Sequence, residues 1–346
     1  MTSLILHAGF PKCGSTSIFN AMVAQLPALR ARGVRVFNRD LDLPEDPAQL
    51  QPPLWPLQQA MESPEAGVAF QARLRGQITA AGPDETLILS SENLADLRAP
   101  ARLFAGLDRA CDVTVVAYIR PQIDWIPSAW KQWDLKDGLT LEASVQRHLR
   151  VNQPNYLRIM RAWRAALPGA RIRLRPFLPR RMMRGQPAYD FFALFDWPAG
   201  AAAVFTEASN PSVDFALMHF MMRHHDVFFD SRHDARFAHR LTRALPPAYQ
   251  RPNARMLSAD QARRIRDHFL NENFALASGF LDDEDPEHFV MAEFGQIPEG
   301  LAYGEMSEAQ ILRRAHRILS EVFDLPGQDR PLALALRARL MDDAIA

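Results

Sequence analysis

The stretch Leu4–Ile18, LILHAGFPKCGSTSI, constrains the fold more than any other part of the chain. An apolar run, Leu4, Ile5 and Leu6, leads to Gly9, and a turn containing Pro11 and Gly14 follows. Ser15, Thr16 and Ser17 then open a segment with apolar residues at Phe19, Met22, Val23 and Leu26. That order predicts strand, loop and helix, the opening of an α/β fold. The first N–H groups of such a helix have no intrahelical partner, and the helix dipole puts its positive end there. A loop of this kind is an anion cradle. Gly9 and Gly14 let the backbone turn and approach a ligand, Lys12 adds a full charge, and three hydroxyls add donors.

The cradle is not the loop of Mg²⁺-dependent nucleotide kinases. That loop reads G-x-x-x-x-G-K-[ST], with lysine after the second glycine and a hydroxyl on the metal. Here Gly9 and Gly14 have the right separation, but Ser15 takes the lysine position and the lysine lies inside the loop at position 12. Its presence there is informative, because lysine occurs only at positions 12, 131 and 136, leaving 37 of 40 basic residues as arginine. A compact point charge on a flexible stem suits a narrow phosphate loop better than a planar fork does. Lys131 and Lys136 read as surface residues.

Two further strands stand out. ETLILSS, Glu85–Ser91, is followed at its carboxyl end by Glu92 and Asn93. VTVVAYI, Val113–Ile119, is apolar, β-branched and continuous, the pattern of a parallel sheet covered on both faces. It ends in Arg120-Pro121, and a helix through Trp130 follows, with Ser128 inside it and Pro127 near its start. Ligands of open parallel sheets bind outside the carboxyl ends of the strands, so the loop and Glu92 are expected on one edge.

Two motifs in this order carry a family resemblance. The pattern G-x-P-K-x-G-[ST]-[ST] resembles the 5′-phosphosulfate loop of sulfotransferases that use 3′-phosphoadenosine 5′-phosphosulfate (PAPS). The spacing R-P-x-x-D-x-x-x-S-x-W, from Arg120 through Ser128 to Trp130, resembles the 3′-phosphate motif of the same family. Segments 155–163, 173–177 and 209–212 resemble the middle of bacterial members more weakly, so the likeness covers about residues 4–280. It implies a P-loop-type three-layer sandwich with a central parallel sheet and a mainly helical C-terminal half. It also implies that Pro11, Lys12, Gly14, Ser15, Thr16 and Ser17 hold the 5′-phosphosulfate and that Arg120 and Ser128 hold the 3′-phosphate. An arginine fork chelating a phosphate dianion, with a hydroxyl from the next helix, fits that role.

Sulfuryl transfer to a hydroxyl or amine is an in-line displacement in which charge builds on the oxygen bridging sulfur and phosphorus. By analogy with phosphoryl transfer, positioning and charge stabilisation should dominate. Lys12 is the expected cation, and no metal is required. Glu92 is the expected general base, since a carboxylate on a partly dry floor can be raised toward neutrality. The competing reading is that Glu92 caps the next turn or pairs with an arginine. Ser91 stands beside it as an assisting hydroxyl, and His7 reads as a core histidine. Two departures from the cytosolic branch matter. Ser17 stands where an adenine-stacking aromatic is expected, and the downstream R-K-G-x-x-G-x-W-K segment is absent, so adenine contacts do not carry over.

Composition bounds the rest. Forty acidic residues balance forty basic ones, so no global field draws nucleic acid or anionic membrane. Two cysteines make no disulfide framework, and no apolar run reaches transmembrane length. With no signal-peptide pattern at the start, a cytoplasmic protein is expected. Helices are expected over Met61–Ala81, Ala99–Gly106, Leu139–Arg150, Asn155–Leu167, Tyr189–Phe195, Val213–Phe229, Arg236–Leu245, Ala259–Leu276 and Glu308–Val322, with strands at Gly33–Phe37 and Arg171–Arg175 and a loop at Leu43–Pro56. Residues 1–280 are read as the α/β domain and 281–346 as a helical extension after the acidic turn Asp282–Asp285. His219, His224, His225, His233 and His239 lack metal-ligand spacing. Arg173, Arg175, Arg180, Arg181 and Arg184 read as a solvated face or an attractor for an anionic acceptor. The acceptor is a small molecule, glycan or lipid. The competing functions are a P-loop nucleotide kinase and a silent protein that binds the product, 3′-phosphoadenosine 5′-phosphate (PAP).

Overall fold

The computed structural model describes residues 1–197, 213–234, 236, 245, 249, 255–281, 285–297 and 302–323. Five strands form one parallel sheet: β1 (Ser3–Ala8), β2 (Val34–Val36), β3 (Thr86–Ser91), β4 (Asp112–Ile119) and β5 (Arg171–Pro176), in the order β2-β3-β1-β4-β5. The chain is therefore α/β, as its alternating pattern predicts. β1 is central, with Ala8 opposite Ser91 on one side and Ala117 on the other. Burial explains the composition of these strands: from Leu4 to Ala8, Leu87 to Ser91 and Val113 to Ile119 every residue is covered.

The order of strands locates the crevice. From β1 the chain goes on to β2 on one side of the sheet, and from β4 it goes on to β5 on the other. With right-handed crossovers, neighbouring strands whose chains depart in opposite senses leave an opening beyond their carboxyl ends. Here that point lies between the loop after β1 and Arg120 after β4.

The helices follow their local signals with a few corrections. α1 (Ser15–Ala24) starts at Gly14 and α2 (Leu26–Arg30) follows it. The expected helix Met61–Ala81 is two helices, α3 (Leu54–Glu62) and α4 (Pro64–Ala80). Proline at the first position and the Ser63 hydroxyl, which accepts from the Ala66 amide at 3.2 Å, begin a new helix at residue 64. The expected loop Leu43–Pro56 consequently contains the start of α3 and a short turn at Pro47–Gln49. The helix expected at Ala99–Gly106 is one wide turn, Pro100–Phe104. α5 (Gln122–Gln132) runs on past Pro127, and α6 (Leu141–Arg150), α7 (Tyr156–Ala166) and α8 (Pro187–Ala193) lie close to their expected positions. The helix expected at Val213–Phe229 breaks at His224 into Phe215–Arg223 and His225–Phe228. Ala259–Phe280 and Glu308–Phe323 are helical as expected. Segment 209–212, His239, and most of Arg236–Leu245 and of the acidic turn Asp282–Asp285 lie outside the described residues. No helix among the described residues is long and apolar enough to cross a membrane.

The chain forms two compact units interleaved in sequence: Met1–Pro121 with Asn155–Glu207 and Asn271–Phe294, and Gln122–Pro154 with Ala208–Leu270 and Gly295–Ala346. The first holds the whole sheet. The second is helical in its described residues and has its own polar anchors. Asp134 accepts from Ser144 Oγ at 2.6 Å and Arg147 Nη1 at 2.9 Å, and it contacts His148 Nε2 at 3.1 Å. Asp214 caps Phe215–Arg223 and pairs with Arg314 at 2.7 Å. Lys136 is not a surface residue: it is buried, with its ammonium 5.9 Å from the centre of the Phe229 ring.

Candidate functional site

The loop after β1 continues the sheet for one bond, from the Gly9 amide to the Ser91 carbonyl at 3.1 Å, and then turns. The Cys13 amide reaches the Phe10 carbonyl at 3.2 Å, Lys12 adopts φ +65°, and Gly14 adopts φ +84° at the helix start. The left-handed backbone at Gly14 favours glycine, and a Cβ there would stand 2.8 Å from Phe177 Cε2 and 2.7 Å from Pro187 Cγ. A Cβ on Gly9 would stand 2.8 Å from that of Ser15. Both glycines are thus demanded by close approach. α1 has no side-chain cap and no acidic residue in its first turn. Ser15 is buried, Thr16 is exposed and Ser17 is intermediate.

One carboxylate faces this cradle. β3 delivers Glu92 beside the loop, and its Oε1 accepts a hydrogen bond from Ser15 Oγ at 2.5 Å. The two residues lie on one sheet edge because β1 and β3 are adjacent and parallel and both end there. Lys12 is pressed below its ordinary pKa by burial and by the charge of Arg120, with Glu92 and Cys13 acting in the opposite sense. Glu92, Lys12 and Arg120 therefore share one electrostatic neighbourhood.

Arg120, at the end of β4, donates from Nη1 to the Lys12 carbonyl at 3.4 Å, and its guanidinium carbon lies 5.8 Å from the centre of the Phe177 ring. The first unit thus brings together Lys12, Gly14, Ser15, Glu92 and Arg120. Ser128, eight residues past Arg120, is buried in α5 of the second unit.

The neighbouring groups have defined roles. Burial pushes the Cys13 thiol up to about 12, so it stays protonated at neutral pH and is a poor nucleophile. His7 is a buried core residue whose Nδ1 lies 2.8 Å from Ser90 Oγ, and desolvation lowers its pKa to about 3, so the ring is neutral. The arginine run is mostly engaged. Arg175 chelates the buried Asp190 at 2.8 and 3.0 Å, Arg181 chelates Glu293 at 2.8 Å through two nitrogens, and Arg184 lies over the Tyr189 ring. Arg180 also pairs with Glu293, at 3.6 Å. Of the histidines, His219 lies 3.6 Å from Glu308, and His225 Nδ1 lies 3.2 Å from the Met222 carbonyl.

Motif reading did not single out Tyr156, Phe177 and Pro187 as parts of the site. Tyr156 is fully buried beneath the loop, with its hydroxyl 3.8 Å from Cys13 Sγ and its ring edge-on to Phe10 at 4.8 Å. Phe177 and Pro187 form the wall that Gly14 touches. No family model, curated protein or solved structure matches the chain.

Proposed function

We propose that the protein is a PAPS-dependent sulfotransferase. The observation that carries this reading is convergence. A helix-start cradle, a loop lysine, a strand-end arginine and a carboxylate from three neighbouring strands meet at the edge where the strand order opens the sheet. The strand–loop–helix arrangement around Gly9 and Gly14 is consistent with a P-loop-type sandwich, the finer form of the fold that goes with this reading.

Geometry supports donor binding at the loop. Gly9 and Gly14 let the loop pack directly against Ser15, Phe177 and Pro187, and the N–H groups at the start of α1 with the Thr16 and Ser17 hydroxyls offer donors. Pro11, Lys12, Gly14, Ser15, Thr16 and Ser17 hold the 5′-phosphosulfate in this reading. Arg120 takes the 3′-phosphate, and the motif spacing assigns Ser128 to it as well. PAPS supplies an activated sulfuryl group. Lys12 stabilises charge on the leaving side, and its partial burial strengthens that effect. Glu92 accepts the proton of the acceptor hydroxyl or amine. In this reading Lys12 supplies the cation and no metal is required. The acceptor is a small molecule, glycan or lipid, and a cytoplasmic location goes with the reading.

Thermal melting with two nucleotides tests it. PAP should raise the melting temperature well beyond adenosine 5′-phosphate at equal concentration, because only PAP offers a 3′-phosphate to Arg120. Equal shifts would remove that role. A response only to ATP with Mg²⁺ would favour a nucleotide kinase, and PAP binding with no transfer to any acceptor would favour the silent binder.

A further inference from the structure

Tyr156 occupies a position that neither motif explains. It opens α7, has no exposed surface, and points its hydroxyl at the junction of the two anion-binding segments. The hydroxyl accepts from the Arg120 amide at 3.3 Å and donates to the Arg120 carbonyl at 3.1 Å. Cys13 Sγ lies 3.8 Å away on the loop side. A tyrosine hydroxyl has one proton to give and two lone pairs to fill. Arg120 offers one acceptor and one donor, and the protonated Cys13 thiol offers a second donor, so the set is complete. The ring meets Phe10, on the same loop, in an edge-to-face contact with centroids 4.8 Å apart.

This arrangement reaches Arg120 just after the last residue of β4, where the strand's own ladder has ended. One buried side chain thereby fixes the backbone of Arg120 relative to residues 10–13. The Nη1 contact to the Lys12 carbonyl ties the arginine side chain to the same loop. Resting on the donor reading above, we infer that Tyr156 is a positioning residue that sets the separation between the 5′-phosphosulfate loop and the 3′-phosphate arginine. Its chemical consequence is selectivity for a nucleotide with anionic groups at both ends. Either half-site alone holds an anion; a fixed spacing makes the two act together, because no ordering of one against the other is left for the ligand to impose.

Tyr156→Phe keeps the ring and its seat on Phe10 and removes only the hydroxyl. Calorimetric titration of wild type and variant with PAP and with adenosine 5′-phosphate gives the deciding quantity, the ratio of the two affinities. The expected result is that PAP weakens about tenfold in the variant, equivalent to about 1.4 kcal/mol, while the monophosphate changes little. A general loosening would weaken both ligands alike and leave the ratio unchanged, and that outcome overturns the inference while leaving the donor reading standing. A wild-type protein that does not distinguish the two nucleotides overturns the donor reading, and the positioning role with it. Should Tyr156→Phe lose its cooperative melt, Phe10→Leu replaces it. That variant loosens the ring while retaining the hydroxyl, and its ratio must fall in the same direction for the inference to stand.

Discussion

The carboxylate in the anion cradle makes one substitution unusually informative. Glu92 Oε1 accepts the one hydroxyl proton of Ser15 at 2.5 Å, so a phosphate oxygen reaches that hydroxyl only in competition with the carboxylate, about 5 Å from it. Two unit charges at that distance repel by roughly 3 kcal/mol at an effective dielectric of 20. Glu92 is partly exposed, and solvent screening reduces this to roughly 1–1.5 kcal/mol. Glu92→Gln removes the charge and keeps an oxygen for Ser15. PAP should then bind about tenfold more tightly. If Glu92 is the base, transfer should fall by about 10²–10⁴-fold in the same variant. The two effects have opposite signs, which separates them from damage to the fold, where binding and turnover decline together. Calorimetry with PAP measures the first, and transfer of labelled sulfate from PAPS into a cell extract measures the second. Weaker PAP binding in the variant would refute the electrostatic argument, and wild-type transfer would move the base elsewhere.

Two further outcomes follow from the packing around the loop. Gly14→Ala places a Cβ against Phe177 and Pro187 at a φ of +84°, and should lose about 2–4 kcal/mol of stability in urea denaturation; a change within about 0.5 kcal/mol would mean that the wall yields freely. His7, held neutral with a pKa of about 3 against an ordinary value of 6.5, binds its proton more readily in the unfolded chain, so stability should decline as pH falls from about 6.5 toward 3. The limit is about 1.4 kcal/mol per pH unit, and His7→Gln should flatten that part of the melting-temperature profile, whereas an unchanged slope would show that other groups set it.

Much of this was legible in the chain itself. Three buried strands announced themselves as apolar runs, and the cradle is a local pattern in which glycine, lysine and hydroxyl spacing carry their own physics. Placing Glu92 on the loop's edge followed from parallel pairing alone. Its bond to Ser15 did not, because that depends on register across residues 77 apart. Tyr156 lies in segment 155–163, whose weaker likeness gives it no role, and its partners at Cys13 and Arg120 are distant in sequence. Counting charges along the arginine run does not reveal Asp190 and Glu293, which come from later residues and engage Arg175 and Arg181. The helix boundary at Ser63-Pro64 was readable, since a capping hydroxyl followed by proline is a start signal inside an apparently continuous helical pattern.

The placement of β1 bears on how the protein is made. The central strand of the sheet is the first to be synthesised, and its neighbours, β3 and β4, begin only at residues 86 and 112. The loop's last wall residue, Pro187, is 173 positions beyond Gly14. At about 5–20 residues per second, the loop after β1 waits on the order of ten to thirty-five seconds for that wall. The loop after β1 therefore takes its final packing only once Pro187 has been made.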